Sequence, residues 1–414
     1  MKAAIRTPLP TAIPFFAAIL VASTACESSG PPSNWSTVRE TLPSGAILVT
    51  NTPSANPSPT LTLVEELRVG SLEGGRPESF AALKGLVALP GGGFAVLDSQ
   101  AQEIRVFGAD GSHVATHGRP GEGPGEFVDA TGLMLDPQGR IWAADPRGAR
   151  MSVFDPVDGF VESFRYQYMV RGFIWAGTMT DRGHILKQSM SRQDFRPMLR
   201  VYDSTMTQID SIFSAEEDEG GRTDPEDSPG AFYYETPGGG YGLMRIPFYP
   251  GGTSHMDRNG ERWFGRMADP GYRIGKHAPG GDTTLIVVTE RPPVPVTAAE
   301  RDSAIAVIRE NLRESGVTTE MDWSRIPDVK PALQSIFTSA EGNVWVAIPN
   351  LSGGTDYDVL ASDGSYLGTV TAGHLGVYRW LPPVVVGDTF LAVVSDELDV
   401  PYVVLARIVP VEHP

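Results

Sequence analysis

Short runs of alternating apolar and polar residues, separated by glycine-containing turns, recur along this chain and predict β-strands. Two of these stretches repeat each other at a spacing of 47 residues, the first over 85–107 and the second over 132–154. Each contains an apolar run, a turn, a second run that ends in Asp98 or Asp145, and a third run that ends in phenylalanine. A repeat period in the forties is typical of architectures that place one multi-stranded unit after another.

A small turn before the second apolar run extends this repeat over the whole chain. Its glycines are Gly92, Gly139, Gly183, Gly260, Gly342 and Gly387, which lie 47, 44, 77, 82 and 45 residues apart. The two long intervals contain insertions, an acidic Gly/Pro-rich loop over about 214–252 and a helix-like segment over about 292–325. Without about 35 residues of each insertion the spacing returns to about 45, so the sequence predicts six units.

Each unit is expected to form four short antiparallel strands, whose tight hairpins need glycine at positive φ. Repeats that bury their apolar faces only against neighbouring repeats form one body, and radial closure protects nearly all sheet edges. The predicted fold class is therefore all-β. Residues 61–414 are expected to form a six-bladed β-propeller of four-stranded antiparallel blades with one inserted helix.

Two motifs carry a resemblance to a known family. The segment 98–111, followed by the glycine-rich segment 118–127, resembles the NHL-type repeat of six-bladed β-propellers. Gly-Glu-Gly-Pro-Gly-Glu-Phe, at the end of the second segment, is the most specific element because it resembles the link between blades. The resemblance covers roughly residues 61–411 and is strongest over 80–165. It supports the fold more than the function, because propellers host unrelated activities.

The resemblance also implies roles for three residues. Asp145 and Arg150 match the Asp and Arg positions of the NHL-type repeat, and Asp98 matches the Asp position of the preceding unit. Glu103 stands where the first unit would carry its Arg. By this resemblance Asp98, Asp145 and Arg150 are structural residues of the blades, which form turns and pack one blade on the next.

The second insertion predicts a helix over about 298–315. Thr297 and Glu300 form a capping box, Gly316 lies where a helix-terminating glycine is expected, and three apolar residues share one helical face, Ile305, Ile308 and Leu312. The apolar stripe is expected to pack on the outside of a blade or over one mouth of the propeller, where a role as a lid over the axial pocket is the functional alternative.

The N-terminus predicts export. Lys2 and Arg6 form a basic region, residues 12–22 an apolar core, and Ser23 to Cys26 a small-residue cleavage region, so residues 1–25 are expected to be a signal peptide. Cys26 is the single cysteine, which excludes an intrachain disulfide.

The surroundings of Cys26 resemble the lipobox of bacterial lipoproteins, although Ser23 stands where Leu is usual. This resemblance implies that Cys26 is acylated and anchors the chain in the bacterial cell envelope, in the periplasm or at the outer membrane. Residues 26–60 would then be a tether and N-terminal extension. A soluble periplasmic or secreted protein is the alternative.

Charge and ligand-forming residues narrow the classes of partner. The chain carries 33 basic and 50 acidic residues, a formal charge of −17, so nucleic acid is not an expected partner and the lipid anchor is the only expected membrane contact. The acidic run 216–227 is interpreted as a solvated loop, with calcium binding as the alternative. Only His113 and His117 lie close in sequence, so no zinc site is predicted.

The leading functional hypothesis is a non-enzymatic binding or scaffolding module, in which one mouth of the propeller binds a protein, peptide or glycan. Candidate contact residues are large side chains in irregular segments: Arg171, Arg245, Tyr249, Trp323, Tyr378 and Trp380. The alternative is a calcium-dependent lactonase-like hydrolase or lyase that uses the central channel. No catalytic residue and no cofactor is assigned, and the identity of the ligand stays open.

Overall fold

The alternating apolar runs form strands throughout the part of the chain that the computed structural model describes. The described residues are 35–54, 60–72, 75, 77–166, 174–175, 177–190, 197–213, 229–267, 271–279, 281–373, 375–378 and 380–411. They contain 28 strands and one α-helix, so the protein is all-β as predicted. The chain begins this part with three strands, β1 (Trp35–Thr41), β2 (Ile47–Pro53) and β3 (Leu61–Val69).

Three four-stranded antiparallel meanders follow, and each forms a separate sheet. The first meander is β4 (Leu83–Ala88), β5 (Phe94–Asp98), β6 (Glu103–Phe107) and β7 (His113–His117). The second meander is β8 (Gly132–Leu135), β9 (Ile141–Asp145), β10 (Arg150–Asp155) and β11 (Gly159–Arg165). The third meander is β12 (Gly177–Met179), β13 (Ile185–Met190), β14 (Pro197–Tyr202) and β15 (Gln208–Phe213).

The second half of the chain adds two insertions and further meanders. A two-stranded hairpin comes first, β16 (Ala231–Glu235) and β17 (Tyr241–Arg245). The fourth meander is β18 (Thr253–Met256), β19 (Arg262–Met267), β20 (Tyr272–His277) and β21 (Thr283–Thr289). After α1 (Ala298–Glu314) and a 3₁₀ turn (Trp323–Arg325), the fifth meander is β22 (Ser335–Thr338), β23 (Val344–Pro349), β24 (Thr355–Leu360) and β25 (Tyr366–Thr371). The last strands are β26 (Val384–Val386), β27 (Thr389–Ser395) and β28 (Pro401–Pro410).

Strands from the N-terminus enlarge two of the sheets beyond the predicted four strands. The β1–β2 hairpin lies beside the fourth meander, with β2 parallel to β21, which gives a six-stranded sheet. Strand β3 pairs antiparallel with β28 and makes a short parallel contact with β25, which gives an eight-stranded sheet. The set β26, β27, β28 and β3 is called the sixth meander. Strands β1 and β2 come from the predicted N-terminal extension, in which no strand was expected.

Two local features recur in all six meanders. The six predicted turn glycines all lie at positive φ, between 59° and 92°, in the hairpin between the first two strands of their meander, which confirms that prediction. The pairing of the third strand with the fourth also shifts register once in every meander. Such a recurring β-bulge bends the outer strand and increases its twist. The units that keep only a faint sequence repeat therefore keep the same backbone.

The apolar core lies between meanders. Six apolar clusters of the described residues each join two consecutive meanders. Five of them follow the chain from the first meander to the sixth, and the last joins the sixth to the first through contacts such as those of Phe94, Val393 and Val403. No meander therefore depends on its own two faces alone for burial.

The insertions form a seventh cluster with each other. Helix α1 has the predicted capping box between Thr297 and Glu300, and its buried residues Ile308 and Leu312 pack against Phe232 of the β16–β17 hairpin. One expectation is corrected here. Part of the segment predicted as an acidic loop forms a hairpin, because its alternating aromatic residues bury one face against the helix. The apolar stripe of the helix packs on this hairpin. The acidic run 216–227 lies outside the described residues.

Candidate binding cavity

The candidate cavity lies at the end of the meanders where the chain enters the first strand of each. In an antiparallel meander, the turn between the second and third strands lies at the same end as the connection that leaves the fourth strand. The cavity, of about 620 Å³, opens among segments at this end of the first, third and sixth meanders. Its lining residues are Ala81, Ala82, Leu83, Lys84, Ile174, Tyr378, Trp380, Val393, Ser395, Asp399 and Pro401.

One part of the cavity is apolar and aromatic. Leu83 and Val393 are buried in the apolar cluster between the sixth and first meanders. Tyr378 and Trp380 lie in the segment before β26 and are 38% and 64% exposed. Exposed aromatic side chains beside an enclosed apolar surface are typical of ligand sites. The structure thus brings two of the sequence-predicted residues, Tyr378 and Trp380, into one cavity.

Two charged side chains also line this cavity. Among the described residues, neither the Lys84 ammonium group nor the Asp399 carboxylate has a hydrogen-bond or ion-pair partner. Lys84 lies at a β-bulge, because the pairing of β4 with β5 shifts register between Leu83 and Gly85. Asp399 has φ of 58° in the turn before β28. Both charges therefore stand on irregular backbone, which redirects side chains out of the regular sheet.

The wall formed by Ala81 and Ala82 is held by Asp98. The Asp98 carboxylate accepts backbone N–H bonds from Ala81 at 3.0 Å and Ala82 at 3.3 Å, and further N–H bonds from Gln100 and Ala101. Asp98 is 1% exposed. These contacts fix the segment that leads into β4.

The second meander repeats this arrangement. Asp145 accepts N–H bonds from Val128, Asp129 and Gly148 at 2.9–3.0 Å, and the Arg150 Nε lies 3.3 Å from the same carboxylate. The Arg150 guanidinium also donates to backbone carbonyls of the glycine-rich segment, including Glu122 at 2.9 Å. The Asp–Arg pair therefore ties the end of β9 to the link between the first and second meanders.

Sequence reasoning missed the corresponding arginine of the first meander. Glu103 occupies the place of Arg150, but Arg105, two residues further and on the same face of β6, supplies the guanidinium. Arg105 donates to the Pro77 carbonyl at 3.0 Å and lies 3.5 Å from the Asp98 carboxylate, while Glu103 pairs with Arg105 at 3.0 Å. The period of two residues along a strand is the signal that could have found Arg105.

The other predicted contact residues lie elsewhere. Tyr249 and Trp323 are partly buried in the cluster of the two insertions, where the Trp323 ring meets Phe232 edge-to-face at 5.4 Å. Arg245 is exposed at the end of β17. Arg171 lies outside the described residues, as does Cys26. Among the described contacts, none joins Arg245, Tyr249 or Trp323 to the cavity.

Lys84 and Asp399 were not among the contact residues predicted from the sequence. The repeat supplies a signal for Lys84, because Thr131 stands 47 residues later and is fully buried. A lysine at a position where the next unit carries a buried threonine indicates a local difference in environment. Asp399 has no such signal, since aspartate is common in turns of every kind.

A second polar cluster, which we call the sealed junction, joins the fourth and fifth meanders. Asp358 is fully buried and accepts hydrogen bonds from Tyr272 at 2.8 Å, Tyr366 at 2.9 Å and Thr369 at 3.0 Å, and it forms an ion pair with Arg291. Burial raises the pKa of Tyr272 and Tyr366, and the Asp358 carboxylate raises both further. Burial alone would lower the pKa of Arg291, but Asp358 raises it overall.

The described histidines and carboxylates form no group that could hold a metal ion. His113 lies 2.8 Å from the Thr116 hydroxyl and His117 lies 2.9 Å from the Pro156 carbonyl, so each ring contacts a different partner. Among the residues that the structure describes, no three His, Cys, Asp or Glu side chains lie close enough together to hold a metal ion. In the same part of the chain, no helix is long and apolar enough to cross a membrane.

Neither a protein-family model nor a curated protein sequence matches this chain. Solved structures that match it are β-propeller-like proteins. A protein from Bacteroides fragilis NCTC 9343 matches with a TM-score of 0.47 and 13% identity, over 87% of this chain and 99% of that one. Virginiamycin B lyase from Staphylococcus aureus matches with a TM-score of 0.40 and 12% identity, over 84% of this chain and 100% of that one. The WD40 repeats of RRP9 match with a TM-score of 0.43 and 10% identity, over 84% of this chain and 98% of that one.

Proposed function

We propose that this chain is a six-bladed β-propeller of the NHL-repeat type that acts as a binding module of the bacterial cell envelope. The ring is supported by the six apolar clusters, because the last of them connects the sixth meander with the first. Strand β3 supports the same closure, since it adds an N-terminal strand to a meander otherwise made of C-terminal residues. Closure of a ring by strands from both chain ends protects the sheet edges.

The observation that carries the binding function is the cavity between the first and sixth meanders. Its volume of about 620 Å³ lies within the range of ligand pockets. It combines buried aliphatic side chains, the exposed rings of Tyr378 and Trp380, and two charges without partners among the described residues. Groups that fold without a partner are available to a ligand. We propose that this ligand is a peptide segment.

Binding can be tested by isothermal titration calorimetry of the full-length protein against short-peptide and oligosaccharide libraries. Trp380→Ala is expected to weaken peptide binding at least about tenfold, because an exposed aromatic anchor is lost. Trp323→Ala is the matched control, since Trp323 lies in the insertion cluster. Binding of oligosaccharides but not of peptides would show that the ligand is a glycan and not a peptide. Loss of binding in Trp323→Ala, with Trp380→Ala unaffected, would move the site to the insertions.

The envelope location is supported by the N-terminal sequence, in which the signal-like region ends at the single Cys26. Acylation of Cys26 would anchor the module at a membrane surface. Expression in a bacterium fed an alkyne-labelled fatty acid is expected to label the wild-type protein and not Cys26→Ser. An unlabelled wild-type protein in the periplasm or medium would favour the soluble alternative.

A further inference from the structure

We infer that the cavity recognises a short zwitterionic peptide, whose free carboxylate meets Lys84 and whose free ammonium group meets Asp399. This inference rests on the proposed binding function and specifies its ligand. Lys84 comes from the inner strand of the first meander and Asp399 from the turn between β27 and β28 of the sixth meander. The two charges therefore belong to two different walls of one cavity.

Charge complementarity selects a zwitterion among the possible ligands. Lys84 is partly buried and Asp399 is exposed. A neutral ligand that covers both charges would remove their water and leave them without a partner among the described residues, which is unfavourable. An anionic ligand would meet Asp399 and the field of a chain whose formal charge is −17. A cationic ligand would meet Lys84. Only a ligand with one charge of each sign pairs with both residues and escapes the long-range repulsion of anions.

The side chain of Asp399 differs in its contacts from the side chain at the corresponding turn of the first meander. Gln102 lies in the corresponding turn of the first meander, also at positive φ, 57°. The Gln102 side chain accepts a hydrogen bond from the Ala130 N–H at 2.9 Å and thereby holds the next lead-in segment. Asp399 has the same backbone conformation, but its carboxylate makes no such contact in the described part of the chain.

Cavity size limits the length of the peptide. A sphere of about 620 Å³ is about 11 Å across, and an extended chain advances about 3.3–3.6 Å per residue. Two or three residues therefore span the cavity between their terminal charges. The aliphatic surface of Leu83 and Val393 and the ring of Trp380 fit an apolar side chain on such a peptide.

Titration of the wild-type protein with the tripeptide Gly-Leu-Phe, its N-acetyl form and its C-terminal amide tests the inference. We expect each cap to weaken binding about tenfold or more, because a charge-assisted hydrogen bond is lost. In Lys84→Met the acid and the amide should bind equally, and in Asp399→Asn the free and acetylated amines should bind equally. Lys84→Arg should keep most of the discrimination. Asn tolerates the backbone conformation of Asp399, so that variant should fold.

The controls separate this inference from the proposed binding function. Glu397→Gln changes an exposed carboxylate of the same turn and should leave all three titrations unchanged. If the peptide binds with the same affinity with and without each cap, recognition of the two terminal charges is refuted, whereas the proposed binding function is not. If discrimination persists in Lys84→Met and Asp399→Asn, the two residues are the wrong ones. If no form of the peptide binds, the proposed peptide ligand fails, and if no peptide and no oligosaccharide binds, the proposed binding function fails.

Discussion

Two junctions between meanders use charged residues in opposite ways. At the sealed junction, Asp358 is fully buried, and its carboxylate accepts hydrogen bonds from Arg291, Tyr272 and Tyr366. At the cavity, between the sixth and first meanders, Lys84 and Asp399 stand apart from any partner in the described chain. A buried charge with complete partners holds the fold together, whereas charges around an open cavity are available for recognition. The four predictions that follow test this contrast.

The largest effect is expected at the sealed junction. Asp358→Ala leaves the Arg291 guanidinium buried without its carboxylate, so the free energy of unfolding should fall by about 3–5 kcal/mol. Urea denaturation of the full-length protein measures this fall. Asp363→Ala is the control, because Asp363 forms an exposed ion pair with Arg39 and its loss should cost less than about 1 kcal/mol. An equal fall in the free energy of unfolding in both variants would contradict the expectation that the buried pair stabilises the fold more than the exposed pair.

A somewhat smaller loss is expected where an aspartate holds a lead-in segment. Asp145→Ala removes the acceptor of three backbone N–H groups and of Arg150, so the free energy of unfolding should fall by about 2–3 kcal/mol. Asp158→Ala, at an exposed turn of the same meander, should change it by less than about 0.5 kcal/mol. A ligand-binding loss in Asp145→Ala with unchanged stability would contradict the structural role.

The local features of this fold were predictable because they depend on neighbouring residues. The turn glycines, the capping box of Thr297 and Glu300, and the recurrence of Asp98 as Asp145 follow from short-range patterns. The guanidinium of Arg105 was missed because the pattern was matched by position and not by strand face. Pairing of β3 with β28 joins residues more than 300 positions apart, which no local pattern encodes.

The candidate site was predicted only in part for the same reason. Tyr378 and Trp380 were predicted as contact residues because they are large side chains in an irregular segment, and they line the cavity. Tyr249 and Trp323 were predicted for the same reason but belong to a packed cluster. What separates the two pairs is whether another part of the chain covers them. Lys84 is a candidate because its β-bulge and the turn of Asp399 line one cavity, and this proximity in space is not encoded in a local sequence pattern.

A pH dependence sharpens the comparison at a second contact between the fourth and fifth meanders. His255 of β18 lies 3.0 Å from the Thr338 hydroxyl of β22, and burial lowers the pKa of His255 to about 4. The unfolded chain, with an ordinary histidine pKa, takes up this proton at higher pH than the folded chain. Stability from this group is therefore complete above about pH 6.5 and is lost as the pH falls towards 4.

The measurable consequence is a fall of about 1–2 kcal/mol in the free energy of unfolding between pH 7 and pH 4.5, beyond the contribution of other groups. His255→Gln should remove that part of the slope in urea denaturation series at several pH values. His113→Gln, which changes an exposed ring, should leave the slope as it is. An unchanged slope in His255→Gln would contradict the prediction, because it would mean that the ring takes up its proton at the same pH in the folded and the unfolded chain.

The smallest effect on stability is expected at the cavity, and it completes the contrast with Asp358. Lys84→Met and Asp399→Asn remove charges that the described fold does not pair, so each should change the free energy of unfolding by less than about 0.5 kcal/mol. Lys84→Met should stabilise the protein slightly, if it changes it at all, because an unpaired charge next to apolar surface is replaced by an apolar side chain. A loss as large as that of Asp358→Ala, measured by the same urea denaturation, would mean that the cavity charges support the fold and are not held for a ligand.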